Sequence, residues 1–233
     1  MKPLFFLIAC LLLGSRTFAQ QHGAPFPALK PNATHAEAVE YERQRWNYVL
    51  TDSAARKRTL NENPNTLLVE TVQNLKPGTA LDIAMGEGRN AIYLAKQGWQ
   101  VTGVDIADKA LALAQKNATT SGVKITTVQQ DVDQYDWGTN KWNLIVLSYA
   151  GGREYASKVK NALKPKGIVV LEGFHADAAK QRKIGSGVVF NTDELRKLYA
   201  DVGLKIVRYE EPVGVADFSK EKLRLVKMVA QKP

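Results

Sequence analysis

The chain is poor in the residues that make crosslinks and metal sites. Its 233 residues include one cysteine, Cys10, and three histidines, His22, His35 and His175. One thiol excludes an internal disulfide, and three scattered imidazoles give no zinc-ligand spacing. Long apolar runs are missing too. The run over residues 4–13 (LFFLIACLLL) falls short of the roughly 20 residues that a membrane-spanning helix needs. It follows Met1-Lys2-Pro3 and precedes Gly14-Ser15-Arg16-Thr17-Phe18-Ala19, the arrangement of a cleavable export signal. A signal peptide over residues 1–19 is therefore expected, giving an exported protein, periplasmic or secreted, with no stable membrane insertion and no thiol nucleophile after cleavage. Two other readings compete. Leu7-Ile8-Ala9-Cys10 resembles a lipoprotein box, though it would cut the apolar region in half. An uncleaved leader, or a misassigned start, would leave a membrane-anchored or cytoplasmic protein.

Acids are outnumbered, 23 against 32 lysines and arginines, for a net charge of +9 that drops to +7 if Lys2 and Arg16 leave with the leader. The basic residues are scattered (Lys158, Lys160, Lys164, Lys166, Lys180, Lys183, Lys220, Lys222) and form no arginine–aromatic stripe. They read as a solvated surface, with no nucleic-acid partner expected. The sequence leaves the oligomeric state open.

Residues 20–33 hold three prolines and read as a linker. From His35 to about Lys57, Ala38, Val39, Tyr41, Trp46, Val49 and Leu50 recur at helical spacing, so residues 20–60 form a linker and helical extension. A second helix is expected over Thr66 to Leu75. Short apolar strands then alternate with amphipathic helices. Strands are expected over 80–84, 100–105, 124–129, 142–148, 167–173, 204–209 and 223–230, with helices near 90–97, 109–119 and 154–163. That alternation predicts an α/β fold over 61–233: a Rossmann-like three-layer αβα sandwich with a seven-stranded, mostly parallel sheet. The short link from Pro212 to Lys222 predicts an antiparallel last strand.

The most informative stretch is Leu81-Asp82-Ile83-Ala84-Met85-Gly86-Glu87-Gly88-Arg89-Asn90-Ala91. A strand runs into a glycine bend and a helix follows, which in open α/β sheets marks a nucleotide crevice. Gly86-x-Gly88-x-x-Ala91 also satisfies a dinucleotide fingerprint, so a nicotinamide-dependent oxidoreductase is one reading. Asp82 within the strand end and Glu87 inside the bend argue against it, because carboxylates repel a pyrophosphate but suit a cationic ligand. Asp105 closes the second strand, where an acid can accept hydrogen bonds from both ribose hydroxyls. Capping the next helix is its other reading, a task Asp108 could take instead.

Together these residues resemble the first cofactor motif of class I S-adenosylmethionine (AdoMet)-dependent methyltransferases, with Ala84 in place of the first glycine. Gly86 to Ala95 is similar in texture to the tellurite-resistance and thiopurine-like branch. The resemblance implies AdoMet as cofactor, held by Asp82, Ala84, Gly86, Gly88, Asn90, Asp105 and Ile106. It further implies Asp131 facing the adenine amino group, with Asp133 a rival, Val132 offering a backbone N–H, and Ser148 beside them. Lys164-Pro165-Lys166-Gly167 corresponds to the family's turn before the fifth strand. A small-molecule methyl acceptor would meet the ends of strands four and five, with Tyr149 and His175 as candidate catalytic residues; a helix-start role is the other reading of His175. Ser148-Tyr149-Ala150-Gly151 lacks the motif of enzymes that methylate adenine or glutamine nitrogens. Trp46 and Tyr48 read as packing aromatics, or else as a lid over the cofactor. An exported, non-catalytic protein that kept the fold is the remaining alternative.

Overall fold

The structure is a computed structural model and describes residues 29–52, 61–182, 184–217 and 221–233. The expected leader, most of the linker, Cys10, His22, Lys183 and Lys220 lie outside the described residues.

Among the described residues the first elements are helix α1 (His35–Thr51) and α2 (Thr66–Val72). The chain continues with β1 (Thr79–Ile83), α3 (Arg89–Lys96), β2 (Gln100–Asp105), α4 (Asp108–Thr120) and β3 (Thr126–Gln129). Next come β4 (Trp142–Ser148), α5 (Ala156–Ala162), β5 (Leu163–His175) and α6 (Ala176–Gln181). A 3-10 turn (Ser186–Val188), β6 (Val189–Phe190), α7 (Glu194–Asp201), β7 (Lys205–Glu210), β8 (Val213–Val215) and β9 (Lys222–Gln231) complete it.

The main path of the sheet runs β3-β2-β1-β4-β5-β9-β7. Its seven strands are the seven expected, and β9 runs antiparallel to both β5 and β7. Two short strands were not foreseen: β6 beside β5 and β8 beside β9, too brief to show a period of two. Nor were α6 and α7. The second helix stops at Val72, short of Leu75, and β5 starts early, at Leu163. Lys166 takes a left-handed backbone there (φ 64°), so the expected turn is a kink within the strand.

Side chains alternate across the central strands and fill both layers. Leu81, Ile83, Ile145 and Leu147 face a core shared with α5 and α7. Ala80, Leu144 and Val146 face the opposite core, with Leu67, Leu68 and Leu94. Strands covered on both faces must be apolar throughout, which explains the continuous runs in β1 and β4. The chain leaves β1 toward β2 on one side and returns at β4 on the other. The crevice between their carboxyl ends is thus the switch point where such sheets take ligands.

Candidate functional site

A cavity of about 780 Å³ opens at that switch point, a volume typical of small-molecule sites. Its wall takes Ala84 and Gly86 from the bend after β1, Asp105 and Ile106 from the end of β2, and Asp131 and Val132 from the loop after β3. Ser148 and Tyr149 follow β4 into the same space.

The bend is built from left-handed backbone at every second residue: Ala84 (φ 52°), Gly86 (φ 56°) and Gly88 (φ 82°). Gly88 is also sterically required, because a Cβ there would stand 3.0 Å from Ala114 Cβ. Ala84 adopts the glycine conformation despite its methyl, at a cost of about 1 kcal/mol. The bend therefore keeps its shape with the substituted residue in place. Asp105 fastens it: Gly86 N–H donates to Oδ2 at 2.8 Å, and Ala107 N–H to Oδ1 at 2.8 Å. Each carboxylate oxygen keeps a second lone pair, enough to accept from two vicinal hydroxyls.

Helix α4 has no cap from its own N-terminal residues. Ala107 holds the cap position, and Lys109 N–H donates instead to Asn47 Oδ1 of α1, at 2.9 Å. The capping role considered for Asp108 is thus filled from elsewhere, while Asp108 accepts from Arg43 and Asn47. Through these contacts α1 lies against the site and adds Glu42, Trp46 and Leu50 to the cavity wall. Trp46 is thus part of the wall; Tyr48 is not. At the start of α1, His35 Nε2 lies 2.8 Å from Asp131 Oδ2.

Four expected site residues take other positions. Asp82 is 1% exposed and sits under the bend instead of on the cavity wall. Burial pushes its carboxyl up to about 7, partly opposed by Arg89 and reinforced by Asp105. Its Oδ2 is buried without a hydrogen-bond partner. Gly88 turns the chain into α3 behind the wall, and Asn90 accepts from Asn65 N–H at 2.9 Å, so both shape the bend from outside the cavity. His175 lies outside the cavity wall. It is 3% exposed, its Nδ1 accepts from Asp177 N–H at 3.1 Å to cap α6, and its Nε2 lies 3.0 Å from Thr192 Oγ1.

Tyr149 lines the cavity. Its hydroxyl donates to the buried Glu172 at 2.7 Å, and burial, with the Glu172 and Asp217 carboxylates, holds it well above the ordinary phenol range. A catalytic tyrosinate does not fit that setting. Ser148 Oγ donates to Asp217 Oδ2 at 3.1 Å, within a network where Arg89 pairs with Asp217.

Sequence reading missed the other half of the wall. Arg153, Glu154 and Tyr155 precede α5, and Ser186, Gly187, Val189 and Asn191 come from the segment between α6 and α7. Only the apolar character of Val188-Val189-Phe190 hinted at a packed segment there.

The family model described as a methyltransferase domain matches residues 80–167, from β1 into β5. Hemagglutinin 1 of Eikenella corrodens is 26% identical over 85% of the chain and 65% of its own length. The chain spans 42% and 35% of the next two curated relatives, so it covers less than two thirds of each of the three. Among solved structures, TehB from Haemophilus influenzae is similar with a TM-score of 0.61 and 19% identity, over 71% of this chain and 61% of that one. The Burkholderia thailandensis 1,6-didemethyltoxoflavin-N1-methyltransferase, bound to its substrate and S-adenosylhomocysteine, has a TM-score of 0.63 and 21% identity, over 88% and 93%. At such identities these structures speak to the fold. The matched segment and the cavity coincide: residues 80–167 match a methyltransferase-domain model, and the bends after β1, β2, β3 and β4 within that segment supply much of the cavity wall.

Proposed function

We propose that the protein transfers a methyl group from AdoMet to a small-molecule acceptor by direct in-line displacement. The observation that carries this reading is the cavity at the β1/β4 switch point, with Asp105 bound to the bend through Gly86 N–H and facing the open space. AdoMet supplies a methyl already activated by its sulfonium. The residues fit that group. Asp105 would take the ribose hydroxyls, Asp131 and Val132 the adenine edge, and the bend at Ala84 and Gly86 lets main chain approach closely. The protein's remaining task is to hold an acceptor lone pair in line at short range and to exclude water. Trp46, Leu50 and Tyr149 supply apolar wall for that exclusion.

A nicotinamide dinucleotide suits the same space poorly. Asp105, Asp131, Asp133, Glu42 and Glu154 all line it, and their charge opposes a pyrophosphate. Calorimetric titration tests the proposal. AdoMet and S-adenosylhomocysteine should bind and NAD(H) should not, and Asp105→Asn should weaken AdoMet by about tenfold or more through loss of charge-assisted bonds. Failure of both sulfur ligands to bind overturns it. The leader-like residues 1–19 support export as part of this proposal, and cell fractionation with N-terminal sequencing of the recovered protein checks it.

A further inference from the structure

The cavity carries charge opposite to that of the molecule around it. The sequence has a net charge of +9. Among the described residues, five acidic residues nonetheless line the wall, Glu42, Asp105, Asp131, Asp133 and Glu154, against one arginine, Arg153. That guanidinium is committed elsewhere. Its Nε pairs with Glu194, Nη2 donates to Val189 O at 2.9 Å, and Nη1 donates to Ser186 O at 3.5 Å. Three acids also have assigned partners or tasks: Asp105 and Asp131 stand where AdoMet would lie, and Glu42 pairs with Arg45 at 3.1 Å.

Asp133 and Glu154 remain, and among the described residues neither carboxylate has a lysine or arginine in ion-pair contact. Asp133 accepts from Tyr155 Oη at 2.6 Å. Lys158, beside it, donates to the carbonyl oxygens of Val132 (3.1 Å) and Asp133 (3.2 Å). Glu154 is an exposed residue of the cavity wall, and desolvation of its carboxyl, with the Asp133 charge adding to it and Arg153 opposing it, pushes that carboxyl above the ordinary range. A cation brought between the two would favour both charged carboxylates and offset that penalty.

The same space has an independent feature that suits an organic cation. Trp46, Tyr149 and Tyr155 line it, and aromatic faces attract ammonium groups most strongly where water is excluded. Resting on the methyltransferase reading above, we propose that the methyl acceptor carries a protonated amine as its anchoring group. Glu154 and Asp133 hold that amine, leaving another atom of the acceptor to face the AdoMet methyl.

Three phenols that differ only in their side-chain charge test this on the protein saturated with S-adenosylhomocysteine: tyramine (ammonium), tyrosol (neutral) and 4-hydroxyphenylacetate (carboxylate). Tyramine should bind tightest by calorimetry, at least about tenfold ahead of the carboxylate. Glu154→Gln and Asp133→Asn should each shrink that preference several-fold, with S-adenosylhomocysteine affinity and melting temperature serving as the check on folding. Equal binding of the three, tighter binding of the carboxylate, or binding of none overturns the proposal. So does a preference that survives both substitutions. Loss of S-adenosylhomocysteine binding in the wild-type protein would instead strike the methyltransferase reading itself.

Discussion

Ala84 shows what a single side chain decides at this site. The bend needs a left-handed residue after β1, and the chain supplies alanine at φ 52°. Glycine there would remove about 1 kcal/mol of backbone strain, while gaining unfolded-state freedom worth about 0.4–1 kcal/mol. Ala84→Gly should therefore be as stable as the wild-type protein or slightly more so. Ala112→Gly, on the exposed face of α4, should lose about 1 kcal/mol. Paired urea denaturation curves separate these outcomes, and an equal loss at both positions would contradict the strain at Ala84.

At this scale the sequence was partly legible. Residue type and spacing pointed to Ala84, Gly86 and Asp105 because backbone geometry forces their chemistry into the open crevice. Asp82, Asn90 and His175 are the right residue types for a site, but which way they face depends on packing from distant segments. His175 points at Thr192 and its own helix, and nothing within a few residues of it reveals that.

Among the elements, α1 contributes more than an N-terminal extension would suggest. Asn47 bridges two segments, donating to Asp108 Oδ1 at 2.8 Å and accepting from Lys109 N–H at 2.9 Å. It is 5% exposed and serves as the missing N-cap of α4. Asn47→Ala should cost about 1–2 kcal/mol of stability, as the loss of a cap does. It should also weaken AdoMet binding, because Trp46 and Leu50 reach the cavity from the same helix. A thermal-shift titration reads both effects, and unchanged cofactor affinity would show that α1 packs without shaping the site. The periodicity of α1 was visible in the sequence, whereas its docking on α4 was not, since that contact joins residues 61 and 62 positions apart. The wall from Ser186 to Asn191 was illegible for a related reason. Its elements are two or three residues long, shorter than any period that could announce them.

Across the whole molecule, two buried carboxylates under one bend set how stability responds to pH. Asp82 is pushed up to about 7 and Asp105 is also raised, burial being the first cause for each. The folded state then retains protons that the unfolded chain releases above about pH 4, so stability falls as pH rises. For Asp82 the loss runs from about pH 4 to about pH 7 and is complete above that. Ligand-free protein should accordingly be less stable at pH 8 than at pH 5 as far as these groups contribute. Asp82→Asn should flatten that slope and raise stability at pH 8. Denaturation midpoints across this range measure it, and a variant as pH-dependent as the wild type would place the cause elsewhere. The parallel architecture itself was fully readable, because two-sided burial writes long apolar runs into β1, β4 and β5.

The position of β9 has a consequence for how the chain matures. The last strand in sequence lies between β5 and β7, both made before it. During synthesis those two strands have no strand to join them until β9 has been made. Asp217, which ties Arg89 and Ser148 beside the bend, belongs to that late segment as well. Until β9 is in place, β7 has no partner through which to join the sheet that β1 to β5 form.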